Sequence, residues 1–180
     1  MLKDQKIIPA ISNHADFRLF LSSHMTYGIL MNFQLAQIPD LVDEMKKRGK
    51  KVLIHSELIK GLNSDEFGAI YLIQNLQVDG IISSKPKVID ICKKRKVLGI
   101  LRFFLKDSMS FEQSIEVAKK VQPDYLEVLP AISVGILPEI RHHINCPIMM
   151  GGLITTKDQI LACIHAGAVA VTTSKPSLWI

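Results

Sequence analysis

Polar residues suited to binding a small anion follow several short apolar runs of this sequence. Glycines let the backbone approach a ligand closely, and unpaired amide groups at the start of a short helix attract phosphate. Two segments near the end of the chain combine these features, and their residues are Gly151, Gly152, Thr173 and Ser174. We therefore predict a phosphate site there. A chain turn at the glycines and a helix cap at Thr173 would explain the same residues.

Two charged residues, Arg102 and Glu127, follow other apolar runs. The guanidinium of Arg102 can neutralise a phosphate or a carboxylate. The carboxylate of Glu127 can accept hydrogen bonds from the hydroxyl groups of a sugar-like ligand. The two side chains are equally suited to form a structural ion pair with each other, so the sequence leaves both interpretations open.

A third group consists of His55, Glu57 and Lys60. A histidine close to a glutamate is typical of an acid–base pair or of two metal ligands, but either role needs partners from other strands. The sequence specifies no such partners. It also lacks the Gly-x-Ser-x-Gly, Walker and His-Glu-x-x-His signatures of common active sites. We therefore expect neither a metal ion nor a cofactor, and a protein that is not an enzyme.

The elements that must position these residues are eight short runs rich in Val, Ile and Leu. They lie at residues 7–11, 27–32, 51–55, 79–83, 97–103, 124–129, 146–150 and 168–172. Most of them lack apolar–polar alternation, which is typical of parallel strands buried on both faces. Segments with helical periodicity separate them.

Eight strand–helix units in 180 residues predict one α/β domain spanning residues 1–180. The favoured architecture is a compact (β/α)8 TIM-like barrel with eight parallel strands and short helices, the last of which, at 174–180, is little more than a turn. A doubly wound open sheet is the alternative. In a barrel the residues after each strand converge at one end, so the three groups above would share a binding site.

Composition excludes several other classes of protein. With 48% hydrophobic and 22% charged residues the chain is neither disordered nor a disulfide scaffold. No apolar run is long enough to span a bilayer, and the N-terminus does not resemble a signal peptide. We therefore expect a cytoplasmic protein without a membrane partner. Its three cysteines, Cys92, Cys146 and Cys163, are expected to be buried thiols.

Nine basic residues end the second and fourth predicted helices, at what would be the opposite end of the barrel. They are Lys46, Lys47, Arg48, Lys50, Lys51, Lys93, Lys94, Arg95 and Lys96. Cations at helix C-termini are favourable in any protein, so a solvated face explains them. With the formal net charge of +5, they also fit a polyanion such as RNA. No aromatic stacking platform accompanies them.

Six separated segments resemble the glycerol uptake operon antiterminator regulatory proteins. The segments are residues 8–11, 55–62, 102–108, 124–130, 151–154 and 170–174. Their order and spacing match over nearly the whole chain. The sequence departs from the family pattern at Glu57, where Asp is usual, at Leu101, where Gln is usual, and at Ala131, where Gly is usual.

The resemblance implies a barrel that senses glycerol 3-phosphate and acts on leader messenger RNA to prevent termination of transcription of glycerol-utilisation genes. By position, Gly151, Gly152, Thr173 and Ser174 would hold the phosphate. Glu57, Arg102 and Glu127 would contact the glycerol end of the ligand, with His55 and Lys60 beside them at the barrel mouth.

Two further hypotheses stay open. The chain is alternatively a small barrel enzyme acting on a phosphorylated three-carbon substrate, with His55 or Glu127 as general base and Arg102 stabilising negative charge. The sequence also allows a homo-oligomer. Phe17 and Leu21 of the first helix, with Met25 nearby, would then form an apolar surface for self-association, although packing in the core explains them equally well.

Overall fold

The eight apolar runs form the eight strands of one closed parallel barrel. The computed structural model describes residues 2–179. The strands are β1 (Ile7–Ile11), β2 (Tyr27–Leu30), β3 (Lys51–His55), β4 (Gly80–Ser83), β5 (Leu98–Phe104), β6 (Tyr125–Leu129), β7 (Ile148–Gly151) and β8 (Ala170–Thr173). They pair in chain order, and β8 closes the barrel on β1. The predicted (β/α)8 barrel is therefore confirmed.

Seven α-helices lie outside the strands in the part of the chain that the structure describes. They are α1 (His14–Ser22), α2 (Ile38–Lys47), α3 (Glu66–Gln74), α4 (Pro86–Arg95), α5 (Ser108–Val121), α6 (Leu137–His143) and α7 (Lys157–His165). After β8 the chain forms only the 3-10 turn Pro176–Leu178, as predicted for the last helix. Trp179 follows this turn, is buried and donates its indole N–H to the carbonyl of Thr173 at 3.0 Å. Ile180 lies outside the described residues.

One side chain from each strand fills the interior of the barrel. These residues, together with Leu2 below them, are Ile8, Ile29, Leu53, Ile82, Ile100, Tyr125, Met149 and Ala170. All of them are buried. Because side chains alternate between the two faces of a strand, the residue two positions further along each strand faces inward again. This second inward layer forms the floor of the barrel mouth, and its residues include the predicted site residues His55, Arg102 and Glu127.

Polar side chains clamp neighbouring strands at the lower end of the barrel, where the strands begin. The Gln5 side chain accepts a hydrogen bond from the amide of Tyr27 at 2.8 Å and so ties β1 to β2. Asp79 accepts from the amide of Val52 at 2.8 Å, which ties β4 to β3. Asp124 accepts from the amide of Gly99 at 2.8 Å, which ties β6 to β5. These clamps fix the register of three strand pairs.

Side-chain caps begin the helices much as the sequence predicts. Asn13 caps α1 and Thr156 caps α7, each accepting a hydrogen bond from the amide three residues later. From the sequence, Asn63 or Ser64 is expected to cap α3, and this expectation is wrong. Asp65 caps that helix and accepts from the amide of Gly68 at 2.9 Å, because the buried Ser64 hydroxyl is bonded to Ser56 instead.

Five helices are followed by a residue with left-handed backbone conformation. Gly49 after α2 and Gly167 after α7 are glycines, as the sequence predicts. The other three are Gln77 after α3, Lys96 after α4 and Gln122 after α5, with φ angles of 53°, 57° and 51°. This conformation costs a residue other than glycine about 1–2 kcal/mol. At three neighbouring helix ends, a residue other than glycine therefore adopts this conformation and lowers the stability of the fold.

Core packing, and not self-association, explains the apolar residues of the first helix. Phe17, Leu21 and Met25 are buried within the monomer. The expectation that the cysteines are buried holds for Cys92 and Cys163, whereas Cys146 is half-buried. Within residues 2–179, none of the helices is both long enough and apolar enough to cross a membrane.

We predict that replacing Lys96 by glycine stabilises the fold. Glycine adopts a φ near +57° without steric cost, so we expect the free energy of unfolding to rise by about 0.5–1 kcal/mol. Lys94→Gly is the matched control, because Lys94 lies inside α4, where glycine lowers stability by about 1 kcal/mol. Chemical denaturation of both variants and the wild type measures the two changes. Equal destabilisation by the two substitutions would contradict the prediction.

Candidate functional site

A cavity of about 350 Å³ lies at the barrel mouth, above the apolar interior. Its lining includes six of the predicted site residues. They are His55, Arg102, Glu127, Gly152, Thr173 and Ser174, together with Ala10, Met31, Leu153, Ile154, Thr155, Thr172 and Lys175, which were not predicted. The residues predicted from three separate groups therefore meet at one site.

Glu127 is the most deeply buried charged residue of this site, with 4% of its surface exposed. Its Oε1 atom accepts a hydrogen bond from the Thr172 hydroxyl at 2.7 Å. Burial raises the pKa of the carboxyl above its ordinary value, although Thr172 and Arg102 both oppose this shift. The Oε2 atom of Glu127 has no hydrogen-bond partner among residues 2–179, so it is available to a ligand hydroxyl.

Gly151 provides the space for this hydrogen bond. The sequence places Gly151 in a loop against the ligand, but the structure places it as the last residue of β7. A Cβ atom at this position would collide with the Thr172 hydroxyl and lie 3.0 Å from Glu127 Oε1. The absence of a side chain at Gly151 therefore accommodates the Glu127–Thr172 pair.

Arg102 lies at the centre of the polar layer. Its guanidinium contacts Glu127, with 3.8 Å between Nε and Oε2, and it stacks over the Phe104 ring at 4.7 Å. One of its terminal nitrogens is hydrogen-bonded to Nε2 of His55. Of the two interpretations left open by the sequence, the ion pair with Glu127 is present, and the guanidinium lines the cavity as well.

His55 is an acceptor in this network because a guanidinium can only donate hydrogen bonds. Nε2 of His55 therefore carries no proton, and the ring proton sits on Nδ1, which faces Glu57 Oε2 at 3.5 Å. Burial and the nearby positive charge of Arg102 lower the pKa of His55 to about 4, although Glu57 opposes this shift. The imidazole is neutral at pH 7.

Glu57 is held in place by two serines of the neighbouring strand and loop. Its Oε1 atom accepts hydrogen bonds from the Ser83 hydroxyl at 2.9 Å and from both the hydroxyl and the amide of Ser84 at 2.7 Å. Burial alone would raise the pKa of Glu57, but these hydrogen bonds and His55 outweigh it and lower the pKa. Glu57 therefore stays ionised and fixes the orientation of the imidazole.

Two pairs of buried polar atoms in this network lack hydrogen-bond partners among residues 2–179. One pair is His55 Nδ1 and Glu57 Oε2, and the other is Arg102 Nε and Glu127 Oε2. Each pair combines a donor and an acceptor, and their separations of 3.5 Å and 3.8 Å are too long for good hydrogen bonds. Buried polar atoms are normally satisfied, so each pair is suited to a hydroxyl group that both accepts and donates.

The opposite wall of the cavity carries the predicted phosphate residues. Gly152, with φ of 77°, turns the chain after β7, and Ser174 follows β8. The Lys175 side chain joins the two loops by donating to the carbonyl of Thr155 at 2.9 Å. The final helical turn contributes fewer amide donors than the sequence suggested, since it begins with Pro176 and the Lys175 amide is bonded to the Thr173 hydroxyl. Lys175 is a cation that can replace them.

Lys60 lies apart from this cavity. Its backbone forms an isolated bridge with Gln34, its side chain is exposed, and it is not among the residues that line the mouth. No cluster of three or more His, Cys, Asp or Glu side chains suited to holding a metal ion occurs within the described chain. His55 and Glu57 thus have no third ligand.

Comparison with known proteins identifies the family. The model of the family described as glycerol-3-phosphate responsive antiterminator matches residues 7–179. This chain belongs to that family. A glycerol uptake operon antiterminator regulatory protein from Listeria monocytogenes is 37% identical in sequence, and its crystal structure superimposes with a TM-score of 0.94 over 98% of this chain and 95% of the other.

Two more distant relatives extend this comparison. A glycerol uptake operon antiterminator-related protein from Thermotoga maritima is 25% identical, with a TM-score of 0.80 over 97% of each chain. The uncharacterized protein YgcP of Escherichia coli is 27% identical over 99% of this chain and 94% of its own length. An aldolase with 11% identity and a TM-score of 0.70 shares the fold alone.

The nine basic residues at the lower end of the barrel of this antiterminator-family chain fall into two groups that differ in their contacts. Five of the nine residues have structural contacts. Lys46, Lys50 and Lys93 donate to backbone carbonyls of neighbouring helix ends, and Lys47 and Lys51 pair with Asp43 and Asp79. The remaining four, Arg48, Lys94, Arg95 and Lys96, are exposed, and their side chains have no hydrogen bond or ion pair within residues 2–179.

Ser83, Ser84 and Thr172 follow or end predicted strands at the mouth, but the sequence assigned no role to them or to Lys175. Thr172 lies one position before the predicted phosphate residue Thr173, and a shift of one residue in the predicted end of β8 hid its inward orientation. Lys175 directly follows Ser174, so its position after the strand was an available signal. The serines act through Glu57, which only the folded structure reveals.

The low pKa of His55 predicts a loss of stability in acid. The unfolded protein protonates this histidine below its ordinary pKa of 6.5, whereas the folded protein does so only near 4. The free energy of unfolding therefore falls as the pH drops from about 6.5 to 4, by about 3 kcal/mol from this group. Urea unfolding between pH 7.5 and 4 should show that His55→Gln removes this part of the pH dependence.

The exposed His24 provides the control for this measurement. We expect His24→Gln to retain the wild-type pH profile of stability. Parallel profiles for the wild type and His55→Gln would contradict a neutral, buried imidazole at position 55. The comparison of variants separates His55 from the carboxyl groups, which titrate in the same range and remain in both proteins.

Proposed function

We propose that this protein binds glycerol 3-phosphate at the barrel mouth and regulates transcription by binding leader messenger RNA. The observation that carries the ligand assignment is the presence of two donor–acceptor pairs in a buried polar layer. A hydroxyl group beside Arg102 Nε and Glu127 Oε2, which both belong to residues lining the cavity, would satisfy both atoms. Of the second pair, His55 lines the cavity and Glu57 does not. A polyol that places a hydroxyl group against Arg102 and Glu127 matches this arrangement.

The phosphate would bind across the cavity, between the loops after β7 and β8. Gly152 and Ser174 line this side, and Lys175 supplies a positive charge close to them. Arg102 lies between the two halves of the cavity and can contact either end of the ligand. A hydroxylated three-carbon chain with a terminal phosphate is therefore the ligand class that the wall chemistry supports.

The same geometry argues against His55 as a general base, whereas Oε2 of Glu127 has no hydrogen-bond partner within the described residues. A general base must have an atom free to take a proton from the substrate. Nε2 of His55 is occupied by Arg102, and its Nδ1 carries the ring proton, so the imidazole offers no free acceptor. We propose that the protein has no catalytic activity and acts in the cytoplasm, where leader RNA and glycerol 3-phosphate are both found.

We predict that Glu127→Gln weakens glycerol 3-phosphate binding by about tenfold to a hundredfold, because a charged acceptor for a hydroxyl is lost. Glutamine retains an oxygen for the Thr172 hydroxyl, so the site should remain folded. Isothermal titration calorimetry should compare glycerol 3-phosphate with n-propyl phosphate, which has the same carbon number and phosphate without the two hydroxyls.

The second ligand serves as the control for this test. Wild-type protein should prefer glycerol 3-phosphate strongly, and Glu127→Gln should reduce that preference while leaving the affinity for n-propyl phosphate nearly unchanged. Equal loss of affinity for both ligands would show that Glu127 does not bind a hydroxyl group of glycerol 3-phosphate. Chemical turnover of glycerol 3-phosphate at high protein concentration would contradict the sensor proposal.

We predict that saturating glycerol 3-phosphate raises the affinity for leader RNA by at least about tenfold. A ligand shifts an equilibrium only through different affinity for its two states, so the converse should also hold, and RNA should tighten ligand binding by the same factor. Fluorescence anisotropy with the leader of a glycerol-utilisation operon, terminator hairpin included, measures the first effect. RNA affinity that is independent of the ligand would refute coupling.

A further inference from the structure

We propose that the leader RNA is bound at the lower ends of α3, α4 and α5, with Gln77, Lys96 and Gln122 as its central contacts. This inference rests on the proposed function and names the surface that would bind the RNA. We call Gln77, Lys94, Arg95, Lys96 and Gln122 together the lower polar surface. It lies at the end of the barrel opposite the ligand cavity, because strands end at the mouth and the helices end where strands begin.

The first argument comes from the backbone. Gln77, Lys96 and Gln122 have left-handed backbone conformations close after their helices, as Gly49 and Gly167 do after α2 and α7. Glycine is the residue that this conformation favours, so the turns themselves do not require these side chains. All three side chains are exposed, and none has a hydrogen bond within residues 2–179. Side chains that strain the backbone without stabilising the fold are typical of functional surfaces.

The second argument is that structural lysines hold this surface in place. Lys46 donates to the carbonyl of Leu76, next to Gln77, at 2.7 Å. Lys93 donates to the carbonyl of Val121, next to Gln122, at 2.7 Å. Each lysine reaches from one helix to the end of the next and fixes the turn that presents a glutamine. The basic clusters predicted from the sequence therefore divide into residues that build the surface and residues that remain available to a ligand.

The third argument is electrostatic. Lys94, Arg95 and Lys96 form no ion pair among the described residues, not even with Asp90 of the same helix, and two other nearby carboxylates are engaged elsewhere. Asp79 binds Lys51 and the Val52 amide, and Asp124 binds the Gly99 amide. The positive charge of the surface is therefore not neutralised locally, which favours a polyanion.

The composition of the surface favours RNA over a protein partner. Protein interfaces usually have large apolar or aromatic residues at their centre. The large exposed apolar side chains of the described chain are Leu19, Phe67, Phe104, Met109, Ile132, Leu153 and Leu161, and none belongs to the lower polar surface. Glutamine, lysine and arginine instead supply hydrogen-bond donors and charges, which are the groups that contact phosphates and base edges.

Glycine variants test this proposal without the usual risk of unfolding. Gln77→Gly, Lys96→Gly and Gln122→Gly relieve the left-handed strain, so each protein should be at least as stable as the wild type while it loses a side chain. Binding to in-vitro transcribed leader RNA, with the terminator hairpin and saturating glycerol 3-phosphate, should be measured by fluorescence anisotropy at several salt concentrations. Lys157 is exposed and lies at the end of α7 nearest the barrel mouth, so Lys157→Gln is the control for the loss of a positive charge.

We expect each glycine variant to bind the leader RNA about tenfold more weakly, with ligand affinity unchanged. Lys96→Gly should also lower the slope of log affinity against log salt by about one, since one phosphate contact is lost. Gln77→Gly and Gln122→Gly should leave that slope unchanged, because a neutral side chain releases no counterion. Lys157→Gln should match the wild type.

Two results would overturn the assignment, and they are distinguishable. If the wild type binds leader RNA in a ligand-dependent manner and all three glycine variants bind equally well, the RNA contacts another surface and the proposed function stands. The lower polar surface would then serve an acidic protein or no partner. If the wild type binds no leader RNA with or without glycerol 3-phosphate, the proposed function fails and this inference fails with it.

Discussion

The buried carboxylate of Glu127 is the constraint on which the barrel mouth depends. A charge in this position is costly unless neighbouring groups stabilise it. The Thr172 hydroxyl, the guanidinium of Arg102 and the absence of a side chain at Gly151 all serve that need. Arg102 in turn requires a neutral His55, and His55 is oriented by Glu57. One carboxylate thereby determines the chemistry of residues on four other strands or the loops that follow them.

Charged residues have different roles at the two ends of the barrel. At the mouth, charged groups are buried and leave donor–acceptor pairs for a small ligand. At the lower end, lysines donate hydrogen bonds to backbone carbonyls at the ends of neighbouring helices. Without these lysines, water would have to hydrogen-bond to those carbonyls. The apolar layer between them, from Ile8 to Ala170, separates the two sites and keeps their charges apart.

The sequence was sufficient to predict the barrel because eight runs of apolar residues recur with a nearly constant spacing. The predicted strand ends also placed His55, Arg102 and Glu127 together at one end of the barrel. It was insufficient where one residue decides orientation. Assigning Gly151 and Thr173 to loops, and not to the last positions of β7 and β8, hid the inward-facing Thr172. Likewise, the local sequence does not show that Lys46 and Lys93 reach carbonyls of other helices.

Strand β5 physically connects the two proposed sites. Arg102 lies near its upper end, and Lys96 lies two residues before its first residue. A ligand hydroxyl placed between Arg102 Nε and Glu127 Oε2 would change the contacts of Arg102, and only contacts that differ between two states can shift an equilibrium. The interior residue Ile100 is fully buried and close-packed, so a displacement of Arg102 is transmitted along the strand more readily than it is absorbed by the core. The end of α4 is therefore the part of the lower surface that should respond first to the ligand.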